Sequence, residues 1–263
     1  MAVKIWTTIT KSIAEKLLRL GALSVLAGVP ASPIEPEFQR LFTRPGVVGE
    51  GWVVRNWTDV SEPAKWPVVW EVDADGILYG TGRYSPGTTG DRWIGTWLMS
   101  ERQYGDFILE LQFKFRNGGK SGNGGVALRA PLAGDPAYEG LELQITDPRY
   151  EHSYFPGATG EQLTGALYLV SAAKELAYLP GEWNQYRVEL RGPRVKVWLN
   201  EKLVQDVDLD TFTRPAKRHG EGQELLEAKP GAARPRRGHI GFQDLSESGE
   251  TLMFRNVRIA ELD

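Results

Sequence analysis

From Pro36 onward the chain alternates apolar and polar residues over short stretches separated by turn residues. In Phe107–Phe115 the residues Phe107, Leu109, Leu111, Phe113 and Phe115 share one face. Glu110, Gln112 and Lys114 fall on the other, where only Ile108 breaks the polar pattern. A glycine-rich turn at 117–125 follows, then Val126-Ala-Leu-Arg129, in which Arg129 lies opposite Val126 and Leu128. Leu141-Glu-Leu-Gln-Ile145 alternates again, three aliphatics against Glu142 and Gln144. Leu167 and Leu169 share a face, leaving Ala166 and Tyr168 on the other. Residues 186–190 and 195–199 read as a hairpin around residues 191–194, and 240–243 and 257–262 supply closing strands. Short strands at this spacing predict an all-β, two-sheet antiparallel sandwich. No helical periodicity long enough to cover a sheet is present, which argues against α/β folds.

Composition narrows the chemistry. A 263-residue chain that is 41% hydrophobic can build one large core, and 30 glycines with 16 prolines favour turns over long helices. A net charge of −3 gives no global argument for nucleic acid as a partner. With no cysteine, disulfides, thiolate nucleophiles and cysteine-ligated metals are excluded.

Two segments stand apart. Residues 1–19 carry Lys4, Lys11, Lys16 and Arg19 against Glu15, and residues 20–29 form a short apolar run. Val29-Pro30-Ala31 then offers signal-peptidase spacing, so residues 1–31 are expected to be a signal peptide and the protein to be exported, periplasmic or extracellular. An amphipathic helix is the alternative; the run is too short for a transmembrane helix. Residues 214–238 form a basic, Gly/Ala/Pro-rich insertion with Lys217, Arg218, Arg234, Arg236 and Arg237, read as a solvated loop or a binding patch. The single sandwich domain is expected over 36–263.

A series of motifs runs in order through that domain: Leu41-Phe42, Trp70-Glu-Val-Asp-Ala-Asp-Gly-Ile77, Tyr104-Gly-Asp-Phe107, Ser121-Gly-Asn-Gly-Gly-Val-Ala-Leu-Arg129 and Leu141-Glu-Leu-Gln-Ile-Thr-Asp147. Thr164-Gly-Ala-Leu-Tyr168, Pro180-Gly-Glu-Trp-Asn184, Ile240-Gly-Phe-Gln-Asp244 and Phe254-Arg-Asn-Val-Arg-Ile259 complete it. The series resembles the 3-keto-disaccharide hydrolase family. The resemblance implies a concanavalin-like jelly roll, export, and activity on glycosides already oxidised at C3. One departure stands out: the family commonly reads Gln-Asp-His-Gly where this chain has Gln243-Asp244-Leu245-Ser246.

A C3 ketone acidifies the C2 proton, whose removal gives an enolate that expels the C1 substituent; water then adds to the unsaturated sugar. Such a route calls for a base at C2, a donor at the C3 oxygen and an acid at the departing oxygen. Glu142 is the first candidate for base or metal ligand, because a jelly roll turns one polar sheet face into a groove. Gln144, about 6.5 Å along the same face, can bind sugar hydroxyls. Asp147 joins that face only if a bulge intervenes near Thr146; otherwise it opens a turn before Pro148. Arg129 is an enolate or hydroxyl partner, or a structural ion pair with Glu142 or Glu110. Tyr168, Gln243, Asp244 and Gln112 complete the candidate substrate contacts, and Trp70, Trp97, Trp183 and Trp198 divide between core and sugar platform. His152 is the remaining candidate to replace the missing family histidine.

Two other readings compete. A retaining β-glucanase would use Glu142 and Asp147, but such chemistry needs carboxyls about 5–5.5 Å apart. A lectin-like module would bind sugar without turnover. The three histidines, His152, His219 and His239, against many carboxylates favour Ca²⁺ or Mg²⁺ over zinc if a divalent cation is used. The expected partner is an oxidised disaccharide or glycoside. The glycine-rich 118–125 segment lacks the lysine and helix of a phosphate-binding loop.

Overall fold

The computed structural model describes residues 36–65, 68–81, 95–149, 159–219, 225–246 and 250–262. The expected leader at 1–31 and His152 lie outside the described residues. Pro36–Asp263 is one compact unit.

The strands are β1 (Gln39–Arg40), β2 (Gly46–Val47), β3 (Trp52–Asn56), β4 (Val69–Val72), β5 (Leu78–Thr81), β6 (Thr96–Tyr104), β7 (Phe107–Phe115) and β8 (Asn123–Ala130). After the short helix α1 (Pro136–Glu139) come β9 (Leu141–Thr146), β10 (Asn184–Arg191), β11 (Arg194–Leu199), β12 (Lys202–Asp208), β13 (Ala216–His219), β14 (Leu225–Ala228), β15 (Gly238–Asp244) and β16 (Leu252–Glu261). One sheet runs β12-β11-β10-β7-β16-β5-β4-β2, with β1 also on β16; the other runs β3-β6-β15-β8-β9. All of these pairings are antiparallel, and the two sheets form the expected jelly-roll sandwich.

Alternation decides what fills the core. In the five-stranded sheet, Val54, Leu98, Phe242, Val126 and Leu143 stand in one cross-strand row and face inward. They meet Leu109, Leu111, Phe113, Tyr186, Val188 and Phe254 of the opposing sheet. Phe113 and Tyr186 stack at 4.7 Å between ring centroids, and Phe242 meets Phe254 edge-on at 5.1 Å. Buried polar tips are paired: Trp70 Nε1 donates to Thr96 Oγ1 at 3.1 Å, and the Tyr186 hydroxyl crosses the sandwich to donate to the Gln144 carbonyl at 2.8 Å. That last bond ties the core directly to the strand carrying Glu142.

The insertion is more structured than a solvated loop. β13 and β14 pair as a two-stranded hairpin within it. Arg234 is 2% exposed, and its Nη1 donates to the carbonyls of Ala137 and Gly140 at 2.8 and 2.7 Å, satisfying the end of α1. Lys229 pairs with Glu139, and the Arg218 guanidinium lies 5.7 Å from the Tyr138 ring. Arg218, Lys229 and Arg234 therefore brace α1, while Arg236 pairs with Asp210.

Candidate functional site

The outward face of the five-stranded sheet carries the candidate site. Two cross-strand rows define it: Val53–Met99–Gly241–Ala127–Glu142 and Arg55–Trp97–Gln243–Gly125–Gln144. Small residues in the middle leave room over β8 and β15 for long side chains from their neighbours. A Cβ on Gly125 would lie 2.2 Å from Glu142 Oε1, so the Glu142 side chain folds across that glycine. A Cβ on Gly241 would lie 2.3 Å from Met99 Sδ.

Glu142 is only 5% exposed. With the Gln243 amide oriented to satisfy both neighbours, its nitrogen donates to Glu142 Oε1 at 3.0 Å and its oxygen accepts from Trp97 Nε1 at 3.2 Å. Trp97 is thus a buried anchor for the amide; it also reaches the Trp57 carbonyl at 3.3 Å. Burial first, then the neighbouring Asp135 carboxyl, push Glu142 well above the usual carboxylate range.

The segment 163–171 forms the wall beside β9. Its backbone is sewn to that strand by Gln144 N–H to Ala166 O (3.0 Å), Gly165 N–H to Gln144 O (3.2 Å) and Tyr168 N–H to Glu142 O (2.9 Å). Thr164 Oγ1 accepts from Thr146 N–H and donates to Thr146 O. Buried Gln205 holds it from behind through the carbonyls of Gly165 and Ser171. Leu169 takes a positive φ of 52°, turning the chain just after Tyr168. The Tyr168 ring packs with Ala137, Leu169 and Tyr138, and Gln162 hydrogen-bonds its hydroxyl. Burial, Tyr138 and the carboxyl of Glu142 keep its phenol protonated, a donor at any physiological pH.

Asp135, absent from the sequence expectations, completes the group. It caps α1, accepting from Ala137 N–H at 2.9 Å. Burial pushes it up to about 7, against the opposing pull of the Ala137 N–H and of Arg218 and Arg234. An aspartate ahead of a short helix is ordinarily a cap, so its residue type gives no separate functional signal.

Of the expected residues, Glu142, Gln144, Gln243 and Tyr168 come together. Gln144 shares the face, though its Oε1 accepts from Ile145 N–H at 2.9 Å. The others lie elsewhere. Arg129 departs because β8 carries an extra residue opposite β15: His239 pairs with Ala130 and Gly241 with Ala127. Arg129 adopts φ 52° there, and its side chain leaves the polar face. Fully buried, it binds the carbonyls of Gly105 (2.7 Å) and Gly192 (2.6 Å) and Asp106 Oδ1 (2.8 Å). Its ion-pair partner is thus neither Glu142 nor Glu110.

Asp147 follows the end of β9 with no bulge to return it to the face. Arg149 engages both of its oxygens, at 2.7 and 2.8 Å. Asp244 accepts from Ser246 N–H and Leu252 N–H, both at 3.0 Å, closing the connection into β16. Gln112 sits on the other sheet, bound to Arg255 and Asn256. Leu245 lies two residues beyond Gln243, 7% exposed, against Gly95 and Trp57. His239 is occupied by Ser100 O and Gln103. Among the described residues no three carboxylates or imidazoles converge. No described helix is long and apolar enough to cross a membrane.

A search of the curated proteins finds no match. Among solved structures, two provisionally named glycosyl hydrolases from Parabacteroides distasonis share the fold. One is 24% identical with a TM-score of 0.58, covering 86% of this chain and 100% of its own. The second is 22% identical with a TM-score of 0.55, covering 84% and 100%. Residues 37–260 match the family profile of the 3-keto-alpha-glucoside-1,2-lyase-like domain, nearly the whole sandwich, and the chain belongs to that family.

Proposed function

We propose that this protein cleaves the glycosidic bond of 3-keto-glycosides or 3-keto-disaccharides by elimination across C1–C2, with hydration of the unsaturated sugar completing hydrolysis. The observation that supports this best is the buried carboxyl of Glu142, held by Gln243 beside a protonated Tyr168 and a second carboxyl. Proton removal next to a ketone needs this combination: carboxyls whose burial makes them hold protons more tightly than free carboxylates, and a neutral donor for the developing enolate oxygen. Ordinary retaining hydrolysis finds less support, because Asp147 is committed to Arg149 and lies off the face. The basic-then-apolar residues 1–31 support export.

The test is incubation of purified protein with a 3-keto-glucoside and with its unoxidised parent. Release of the aglycone from the keto-glucoside alone is the expected result. Binding of the keto-glucoside without product would move the protein to the lectin-like class, and reducing sugar released from an unoxidised β-glucan would move it to the glucanases.

A further inference from the structure

Two carboxyls occupy this site in unlike surroundings, and the difference assigns them unlike tasks. Among the described residues Glu142 has one donor, the Gln243 amide at Oε1, its Oε2 makes no hydrogen bond, and no cation stands against it. A carboxyl so enclosed keeps its proton, since an unpaired buried charge is costly. Asp135 is half-buried and has the Ala137 N–H on Oδ1 and both Arg218 and Arg234 near enough to favour its charge. Its Oδ2 makes no hydrogen bond to a described residue. Among the described residues the other titratable groups about the pair are Tyr138, Tyr168 and Glu139. Of the two, Glu142 therefore holds its proton more firmly, and Asp135 is the one that gains charge as pH rises through about 7.

Resting on the elimination reaction above, we propose that Asp135 is the base that removes the C2 proton and that Glu142 is the acid that protonates the departing oxygen. The Asp135 carboxylate takes the C2 proton, and the C–H pair becomes the enolate, its charge on the C3 oxygen facing the Tyr168 hydroxyl. That pair then forms the C1–C2 double bond as the C1–O bond breaks. The bond's electrons leave with the glycosidic oxygen, which takes the Glu142 proton. Asp135 is now protonated and Glu142 ionised. In hydration Glu142 accepts a proton from water as the water oxygen bonds C1, and Asp135 returns its proton to C2. Both groups end as they began. This reverses the role that strand position alone suggests for Glu142.

The experiment uses Asp135→Asn and Glu142→Gln with two substrates and one exchange assay. Asparagine caps helices as well as aspartate, so a purely structural role of Asp135 survives the first change. Loss of the acid is masked by a good leaving group; loss of the base is not. Glu142→Gln is expected to lose about 100-fold or more on methyl 3-keto-glucoside but under about tenfold on its 4-nitrophenyl counterpart. Asp135→Asn is expected to lose about 100-fold or more on both. In D₂O, the uncleavable 1,5-anhydro-3-keto-glucitol should exchange its C2 proton with wild type and Glu142→Gln, and not with Asp135→Asn. Wild-type exchange should rise with pH through about 7, a readout that needs no variant to fold. The opposite substrate pattern, or unchanged exchange in Asp135→Asn, would overturn the assignment while leaving the reaction in place. A wild type that neither cleaves nor exchanges would remove the reaction and the assignment together.

Discussion

The Gln243 amide reaches Glu142 Oε1 at 3.0 Å across Gly125, whose missing side chain is what lets the carboxyl lie there. Gln243 and Glu142 stand on strands that do not pair directly; β8 separates them, and only a glycine on it leaves the path clear. The site thus depends on a residue with no chemistry of its own.

Gly125→Ala is therefore expected to move the carboxyl without unfolding the domain. The added methyl needs space that Glu142 occupies, an overpacking cost of about 1–3 kcal/mol if the side chain stays. Turning away relieves that strain and breaks the bond to Gln243. Turnover of a 3-keto-glucoside should fall at least about tenfold, since small displacements of reacting groups are costly. Thermal unfolding and steady-state kinetics measured together check this.

The pH dependence of stability has a definite sign. Glu142 and Asp135 both bind protons more tightly folded than unfolded, where carboxylates titrate near about 4. Their favourable contribution is fully present below that value and is lost as pH rises, for Asp135 through about 7. Between those limits the wild-type Tm should fall more steeply with pH than that of Glu142→Gln, which carries no ionisable group there. Calorimetry across the range checks it; parallel curves would contradict the burial assigned to Glu142.

Arg129→Ala should unfold the domain at markedly lower denaturant. The change strands two carbonyls and Asp106 without their common donor, a loss of about 3–5 kcal/mol. Below the unfolding transition, turnover per folded molecule should stay within about threefold of wild type, because Arg129 does not face the site. Chemical denaturation paired with activity separates the two effects.

Tyr168→Phe keeps the backbone bond to Glu142 and the packing against Tyr138 and Leu169, and removes one hydroxyl. If that hydroxyl stabilises the enolate oxygen, kcat should drop about 100-fold or more with little change in Tm. A small kcat effect with a raised KM would instead place Tyr168 in substrate binding.

Alternation carried much of this in the sequence. The apolar parity of Phe107–Phe115 and Leu141–Thr146 determined which residues enter the core and put Glu142 and Gln144 on one outward face. The same parity joined Gln243 to that face once its strand was recognised. It failed for Arg129, because one extra residue in β8 reversed the side on which that guanidinium emerges. For Gln112 parity was right but silent: it says that a residue faces outward, not from which of two sheets.

What the sequence determined by itself was periodic and local: an all-β sandwich, an ordered series of family motifs, and a polar strand bearing Glu142. Only the tertiary structure decided that Glu142, Gln243 and Tyr168 gather on one face and that a second carboxyl, Asp135, stands near them. Asp135 lies near enough to act on the Glu142 charge because α1 packs against β9, with Arg234 of the insertion holding the helix end. Strand order and the docking of a four-residue helix are long-range matters, set by what the whole core can bury, and no local pattern encodes them.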